Sequence, residues 1–444
     1  MHARLLRFWD DLRASYWFIP GLLTLGAVGA AQVVLAVDRA LYNADVGLMG
    51  WLHGAGEPEG ARTLLSTIAG SMITVAGVTF SILLVALSLA SSQFGPRLLR
   101  GFLRDRSNQT VLGTFIATFV YCLLVLREVP MEVGTKLVPQ FATALALVLA
   151  LVSVAMLIYF IHHAAVSIQA SQVIAVAGNE LDEAIRQTFP ALGEEGGTDR
   201  PLTVEEALPD GFEEECVEVT ARASGYVQEI DTEGLLALAV ERGLVIELRH
   251  GRGSFVVEDR PLARVTGELD DEAEEAIADA LVLGSGRSSS RDVERGVEQL
   301  AEVAVRALSP GINDPFTAEH ALRRLGQSLT LMADRKLPTP LFHDDEGNRR
   351  LLVPTPAVPE LLHLAFDQAR HYGRSDPHVP IEMLQVLTSV GVRVSQPGLR
   401  RELLHHAEAV RRTAVDALPE ESDRERIEST FETAEAVLSG NQGS

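Results

Sequence analysis

Residues 63–96 read TLLSTIAGSMITVAGVTFSILLVALSLASSQFGP, 34 residues without a charge. As one helix they would reach about 50 Å, well beyond the roughly 30 Å of bilayer hydrocarbon. Hydroxyls recur through the run. Thr67, Thr74, Ser81 and Ser88 are seven apart, Ser71 and Ser92 fall on the same stripe, and Gly70 and Gly77 repeat beside them. A seven-residue period keeps one helix face aligned, with a drift of only about 20° per heptad. Two readings stay open. Small and hydroxyl residues form close seams between membrane helices. Symmetry-related copies of the stripe would instead line a narrow polar pore.

Three further uncharged runs, Tyr16–Val37, Ser107–Leu126 and Leu137–Ile161, accompany this one. Each holds the roughly 20 apolar residues that cross a bilayer as a helix. Four in succession predict a transmembrane module over residues 1–165, with spans at about 16–37, 64–90, 109–126 and 139–161. Arg4, Arg7 and Arg13 precede the first run, but its apolar stretch is longer than a signal-peptide core and no clear cleavage site follows, so it reads as a retained helix. Ala142, Ala146, Ala150 and Ser153 in the fourth run, and Gly113, Thr114, Ala117 and Thr118 in the third, read as packing faces.

Orientation follows from the loops. Three arginines precede the first span, and Arg97, Arg100, Arg104 and Arg106 lie between the second and third. The other two loops are poorer in basic residues. The positive-inside rule places both termini in the cytoplasm of a cell whose inner membrane holds the spans. In the second loop Leu98, Leu99, Phe102 and Leu103 share a face beside the arginines, the pattern of a short amphipathic helix on the membrane surface. His162 and His163 follow the fourth span, as plain interfacial residues or as a pH sensor at the membrane surface.

Charge divides the chain. Residues 1–179 carry 11 Lys/Arg against 9 Asp/Glu, whereas residues 180–444 carry 27 against 51. A surface so acidic repels phosphate backbones, so nucleic acid is excluded as a partner. The two cysteines, Cys122 and Cys216, cannot form a disulfide framework. The fold class is therefore an α+β membrane protein: four transmembrane helices, then a small β domain and a cytosolic helical bundle. The fourth helix is expected to extend through 166–189 on the stripe Ala170, Ile174, Ala177, Leu181 and Ala184. A linker at 190–211 leads to strands near 216–221, 225–230, 245–249, 254–257 and 261–265, within a β domain bounded at 212–268. Residues 269–444 read as helices.

One turn interrupts that helical part. Ser309-Pro310-Gly311-Ile312-Asn313-Asp314-Pro315 ends an apolar stripe and starts another. Pro310 and Gly311 stop one helix, Asp314 suits the cap of the next, and Pro315 suits its first position. No phosphate-binding loop, dinucleotide fingerprint or nucleophile elbow occurs. Histidines 343, 363, 371, 378, 405 and 406 read as scattered, without metal-ligand spacing. No catalytic residue, cofactor or metal is therefore expected, and the protein reads as no enzyme.

Ser66–Gly77, Ser91–Arg97 and Ala307–Ala318 together resemble a bacterial family of predicted membrane proteins, the domain-of-unknown-function family 2254. The resemblance covers nearly the whole chain and implies an inner-membrane location. It brings no activity to any residue. Two functional classes remain: a homo-oligomeric channel or pore for an ion or small solute, with a cytosolic regulatory domain, or a membrane-anchored sensor or scaffold without enzymatic activity. Both place the chain in a lipid bilayer. Reporter fusions at Gly56 and Glu132 are expected to read the external side, and fusions at Ser107 and Gly211 the cytosol. A cytosolic signal at Gly56 would overturn the four-crossing topology.

Overall fold

The computed structural model describes residues 16–43, 58–95, 105–130, 138–167, 169–194, 197–198, 208–209, 211–287, 292–394 and 396–440. The expected surface helix around Leu98–Leu103 lies outside these residues. The chain forms two compact units, Met1–Gln172 and Val173–Ser444.

The first unit holds α1 (Phe18–Asn43), α2 (Pro58–Phe94), α3 (Arg106–Glu128) and α4 (Gln140–Ser167), each long and apolar enough to cross a membrane. α2 is a single helix of 37 residues that takes in the uncharged run as far as Phe94. Gly95 follows at φ 105°, in the left-handed region where glycine closes helices. α3 is the inner helix. Its Val111, Phe115, Tyr121, Cys122 and Val125 are fully buried. α1 and α2 both pack on α3, and α4 contacts all three.

Polar contacts close this unit where hydrocarbon supplies none. Thr118 and Ser153 hydroxyls meet at 3.1 Å between α3 and α4, and the Tyr121 hydroxyl donates to the Ala142 carbonyl at 3.0 Å. Asp38, near the end of α1, accepts the backbone N–H groups of Phe141 and Ala142 at 3.0 and 2.9 Å. A carboxylate from one helix thus satisfies the first turn of another, which hydrocarbon would leave unpaired. At the other end Asp105 accepts from the Ser107 N–H and pairs with His163, whose ring stacks on Tyr159.

α5 (Ala170–Thr188) is a separate helix, since α4 ends at Ser167. This departs from the uninterrupted extension expected over 166–189. Its stripe Ile174, Ala177, Leu181, Ala184 and Ile185 is buried in the second unit. There the chain continues through β1 (Gly197–Thr198), α6 (Phe212–Glu215), β2 (Val217–Thr220), β3 (Gly225–Ile230), α7 (Thr232–Glu241), β4 (Val245–Leu248), β5 (Phe255–Val256), β6 (Pro261–Thr266), α8 (Asp271–Ala280) and β7 (Leu281–Gly284). Then come α9 (Val293–Ala307), α10 (Pro315–Ala333), β8 (Leu337–Pro338), β9 (Leu341–His343), β10 (Arg349–Leu352), α11 (Val358–Gly373), α12 (His378–Arg393), α13 (Pro397–Ala417) and α14 (Glu421–Leu438).

The strands form sheets of order β2-β6-β4-β10-β9 and β5-β3-β7, with β1 and β8 as a separate pair. Val219, Val227, Ile246, Val265 and Leu351 meet in one core between them. The β region does not close at residue 268. β7 pairs antiparallel with β3, and β10 pairs parallel with β4. The segment 190–211 is also tied down in part, because Gly197–Thr198 pairs with Leu337–Pro338. Helices α9 to α14 pack around one another beside these sheets.

Close approach fixes the membrane unit. A Cβ on Gly113 would lie 2.8 Å from Leu23 Cδ1 and 2.9 Å from Pro20 Cα. Gly113→Val is therefore expected to overpack the α1–α3 contact, at a cost of about 1–3 kcal/mol. Thermal melting of the detergent-solubilised protein should show it, with Gly60→Val as the control, because a Cβ there meets nothing within 4 Å. Equal melting temperatures for the two variants would contradict the packing.

Candidate functional site

The inward face of α2 consists of Ala61, Leu65, Ile68, Ala69, Met72, Ala76, Thr79, Leu83, Ala86, Ala90 and Phe94. Thr67, Ser71, Thr74, Ser81 and Ser88 lie on the opposite side and are all exposed. The stripe faces away from α1, α3 and α4. Its span, from Thr67 to Ser88, covers about 32 Å of helix, close to the hydrocarbon thickness. Three hydroxyls donate to the carbonyl four residues earlier: Thr67 to Thr63 at 2.7 Å, Thr74 to Gly70 at 2.8 Å, and Ser81 to Gly77 at 2.9 Å. Each hydrogen is used inside the helix, so each oxygen turns lone pairs outward. Gly70 and Gly77 are exposed beside them, with open space where a side chain would stand.

The turn before α10 sits on the surface of the second unit. Ser309 Oγ donates to the Arg306 carbonyl at 2.6 Å as α9 ends. Pro310 and Gly311 are exposed beyond it. Asn313 has φ 51°, a left-handed conformation that asparagine tolerates better than most residues. Its N–H donates to the Ser309 carbonyl, and the Asp314 N–H donates back to Ala307 at 2.8 Å. Asp314 then accepts from the Thr317 N–H at 3.1 Å and from its hydroxyl at 2.6 Å, while Pro315 takes the first turn of α10. The Ser309 and Asp314 side chains thus each have a local backbone task in this turn.

A third arrangement joins residues far apart in sequence. His363 and Asp367 stand four apart on α11, and Glu402 and His406 four apart on α13, so each pair shares a helix face. The two helices pack together and bring His363, Glu402 and His406 into one group. The imidazole rings of His363 and His406 meet edge to face, 4.8 Å between centres. His406 is 2% exposed, and its Nε2 has no hydrogen-bond partner. Such a buried unpaired nitrogen costs about 1–3 kcal/mol. Burial pushes the His406 pKa down to about 4, the neighbouring His363 adding to the effect while Asp367 and Glu402 oppose it. The ring is accordingly neutral near pH 7.

The family model described as a predicted membrane protein (DUF2254) matches residues 13–389. The chain belongs to this family. Uncharacterized proteins of Mycobacterium tuberculosis and Mycobacterium bovis are each 30% identical to this DUF2254 chain over 425 residues, 94% of it and 80% of the relative. No solved structure matches it.

Taken one at a time along the sequence, the histidines of this DUF2254 protein do not disclose the clustered pair. The available signal was the four-residue spacing of histidine and carboxylate in two segments, His363/Asp367 and Glu402/His406. Nothing local tells that the two segments face each other. The turn tests differently: Asp314→Ala removes the acceptor for the Thr317 N–H and is expected to lower stability by about 0.5–2 kcal/mol. Thermal melting of the whole protein in detergent reads this, and a variant as stable as the parent would remove the capping role.

Proposed function

We propose that this protein is a homo-oligomer of the inner membrane, with both termini cytoplasmic, in which α2 of each copy lines a narrow polar path for a small cation. The observation that carries the reading is the outward hydroxyl face of α2, which none of the described helices of its own unit covers. Lipid gains nothing from a polar stripe as long as the hydrocarbon is thick. Copies of the chain around an axis would give it a purpose.

Charge preference follows from the hydrogen positions. Thr67, Thr74 and Ser81 spend their protons on backbone carbonyls, so the path would present oxygen lone pairs. Such oxygens replace the hydration shell of a cation and repel an anion. Glycine supports the assembly. Gly70 and Gly77 on α2 and Gly21, Gly26 and Gly29 on α1 have no neighbour within reach of a Cβ. A glycine inside a helix costs roughly 0.5–1 kcal/mol against alanine, a cost that close contact with another helix offsets. α1 and α2 both pack on α3 and each keeps an uncovered glycine face, which suits a head-to-tail ring in which α1 of one copy meets α2 of the next.

The test uses a chain in which Cys122 is first replaced by Ala. Cysteine at Thr74 or Ser81 should react with small water-soluble thiol reagents. In reconstituted liposomes that reaction should reduce a flux of K+ that exceeds the flux of Cl−. Ser81→Leu should abolish flux while leaving the particle an oligomer. A monomeric particle without flux in any condition would sink the pore and leave a membrane-anchored sensor or scaffold.

A further inference from the structure

We propose that His363, Glu402 and His406 bind a divalent cation of the zinc class, with Asp367 orienting the His363 imidazole. The proposal concerns the second unit alone and stands apart from the pore.

The four side chains alternate in a defined way. Asp367 lies at the Nδ1 side of both rings: Oδ2 is 3.0 Å from His363 Nδ1, and Oδ1 is 3.9 Å from His406 Nδ1. Glu402 lies at the opposite side of both: its Oε1 is 3.8 Å from His363 Nε2 and 3.9 Å from His406 Nε2. Two imidazole Nε2 atoms and one carboxylate oxygen therefore converge, while one carboxylate stands behind the rings. Histidines that hold metals commonly pass their second N–H to a carboxylate in this manner, which fixes the tautomer and leaves the other nitrogen's lone pair free.

Distances fit a site that closes on its ion. None of the contacts to Glu402 is short enough for a hydrogen bond. With bonds of about 2.0–2.1 Å around a tetrahedral zinc, neighbouring ligand atoms are roughly 3.3 Å apart. Two of the three edges, 3.8 and 3.9 Å, need to shrink by about half an ångström, and the third, between the imidazoles, lies within 4.8 Å, so closing on an ion takes a rotation of both rings toward Glu402. The unpartnered, buried Nε2 of His406 points to an occupant at this place, since a nitrogen in that position otherwise has neither solvent nor a donor.

Ligand chemistry selects the ion class. Imidazole suits zinc, copper, iron and nickel, whereas all-oxygen sites suit magnesium and calcium. Two imidazoles and one carboxylate form a set of three, which leaves a fourth position for water or another ligand. Access is open on one side, because the His363 side chain is half exposed. Glu402 also borders a cavity of about 660 Å3 whose walls include Pro340, Pro356, Val358, Pro397 and Leu399. A small molecule in that cavity would lie against the carboxylate that holds the metal.

The test titrates Zn2+ alone into the full chain, purified in detergent without a histidine tag and stripped with chelator, against a chromophoric competitor. One Zn2+ per chain is expected, with a rise in melting temperature. His363→Gln and Glu402→Gln, both at partly exposed positions, should each weaken binding at least about tenfold and remove the thermal shift. Asp367→Asn should weaken it about 10-fold through ring orientation. His405→Gln, one residue from the site and exposed, should bind as the parent does. Failure of the parent to bind Zn2+ stoichiometrically would overturn the proposal and leave a water molecule as the partner of His406. So would equal affinity in His363→Gln, Glu402→Gln and the parent.

Discussion

Hydrocarbon offers no hydrogen-bond partner, and the membrane unit is arranged around that deficiency. A helix satisfies its own interior backbone, but its first N–H groups remain. α4 begins against Asp38, which reaches across from α1 to accept from Phe141 and Ala142. α3 begins against its own Asp105. Side chains obey the same constraint: Tyr121 donates to a carbonyl of α4, Thr118 pairs with Ser153, and the α2 hydroxyls turn inward to their own backbone. With polar groups paired this way, apolar packing around α3 can set the helix positions.

In the second unit water is available at the surface, and the same accounting is done by charge. Arg324 on α10 bonds Asp182 and Asn179 on α5, and Ser328 donates to the same aspartate at 2.6 Å. Gly178 leaves the space that the guanidinium occupies, since a Cβ there would meet it at 2.2 Å. Behind these contacts Leu181 packs where Gly296 of α9 has no side chain. A charged, half-covered helix is thereby fastened by a bidentate arginine on one side and close apolar contact on the other.

The physical range of each signal decides how far it could be read. Four spans are visible because a bilayer demands some 20 uncharged residues, a pattern long enough to be unambiguous. β3 and β6 are visible from alternation over six residues, and the cap at Asp314 from chemistry within four. β10 is a different case. It is four residues, begins Arg349-Arg350, and pairs in parallel with β4 a hundred positions earlier. No local pattern encodes such a partner. β7 is hidden because it follows α8 directly, and its Leu281-Val282-Leu283 suits either state. The histidine–carboxylate group belongs with these non-local features. Each half was written in sequence at helical spacing, but only the packing of α11 on α13 joins them. The direction of the α2 stripe was likewise undecidable until the inward face of the helix was known.

Glycine draws the sharpest contrast between the two units. In the second, Gly296, Gly326, Gly373 and Gly391 each lie where a Cβ would strike a neighbouring side chain at 2.8 Å or less. There the residue is explained within one copy of the chain. In the membrane unit Gly113 alone, among the described helical glycines, has such a neighbour, whereas Gly21, Gly26, Gly29, Gly70 and Gly77 face open space. Glycine lowers helix stability without contributing contacts of its own, so its repeated use on an uncovered face has no return in a single copy. In the proposed assembly a second helix approaches closely enough to use the missing side chains. Hydroxyls and glycines occupy adjoining edges of α2, so one edge can serve contact while its neighbour faces the space that contact encloses. The heptad spacing of the hydroxyls adds to this: a face that recurs every seven residues follows a left-handed supercoil, the twist at which most membrane helices cross.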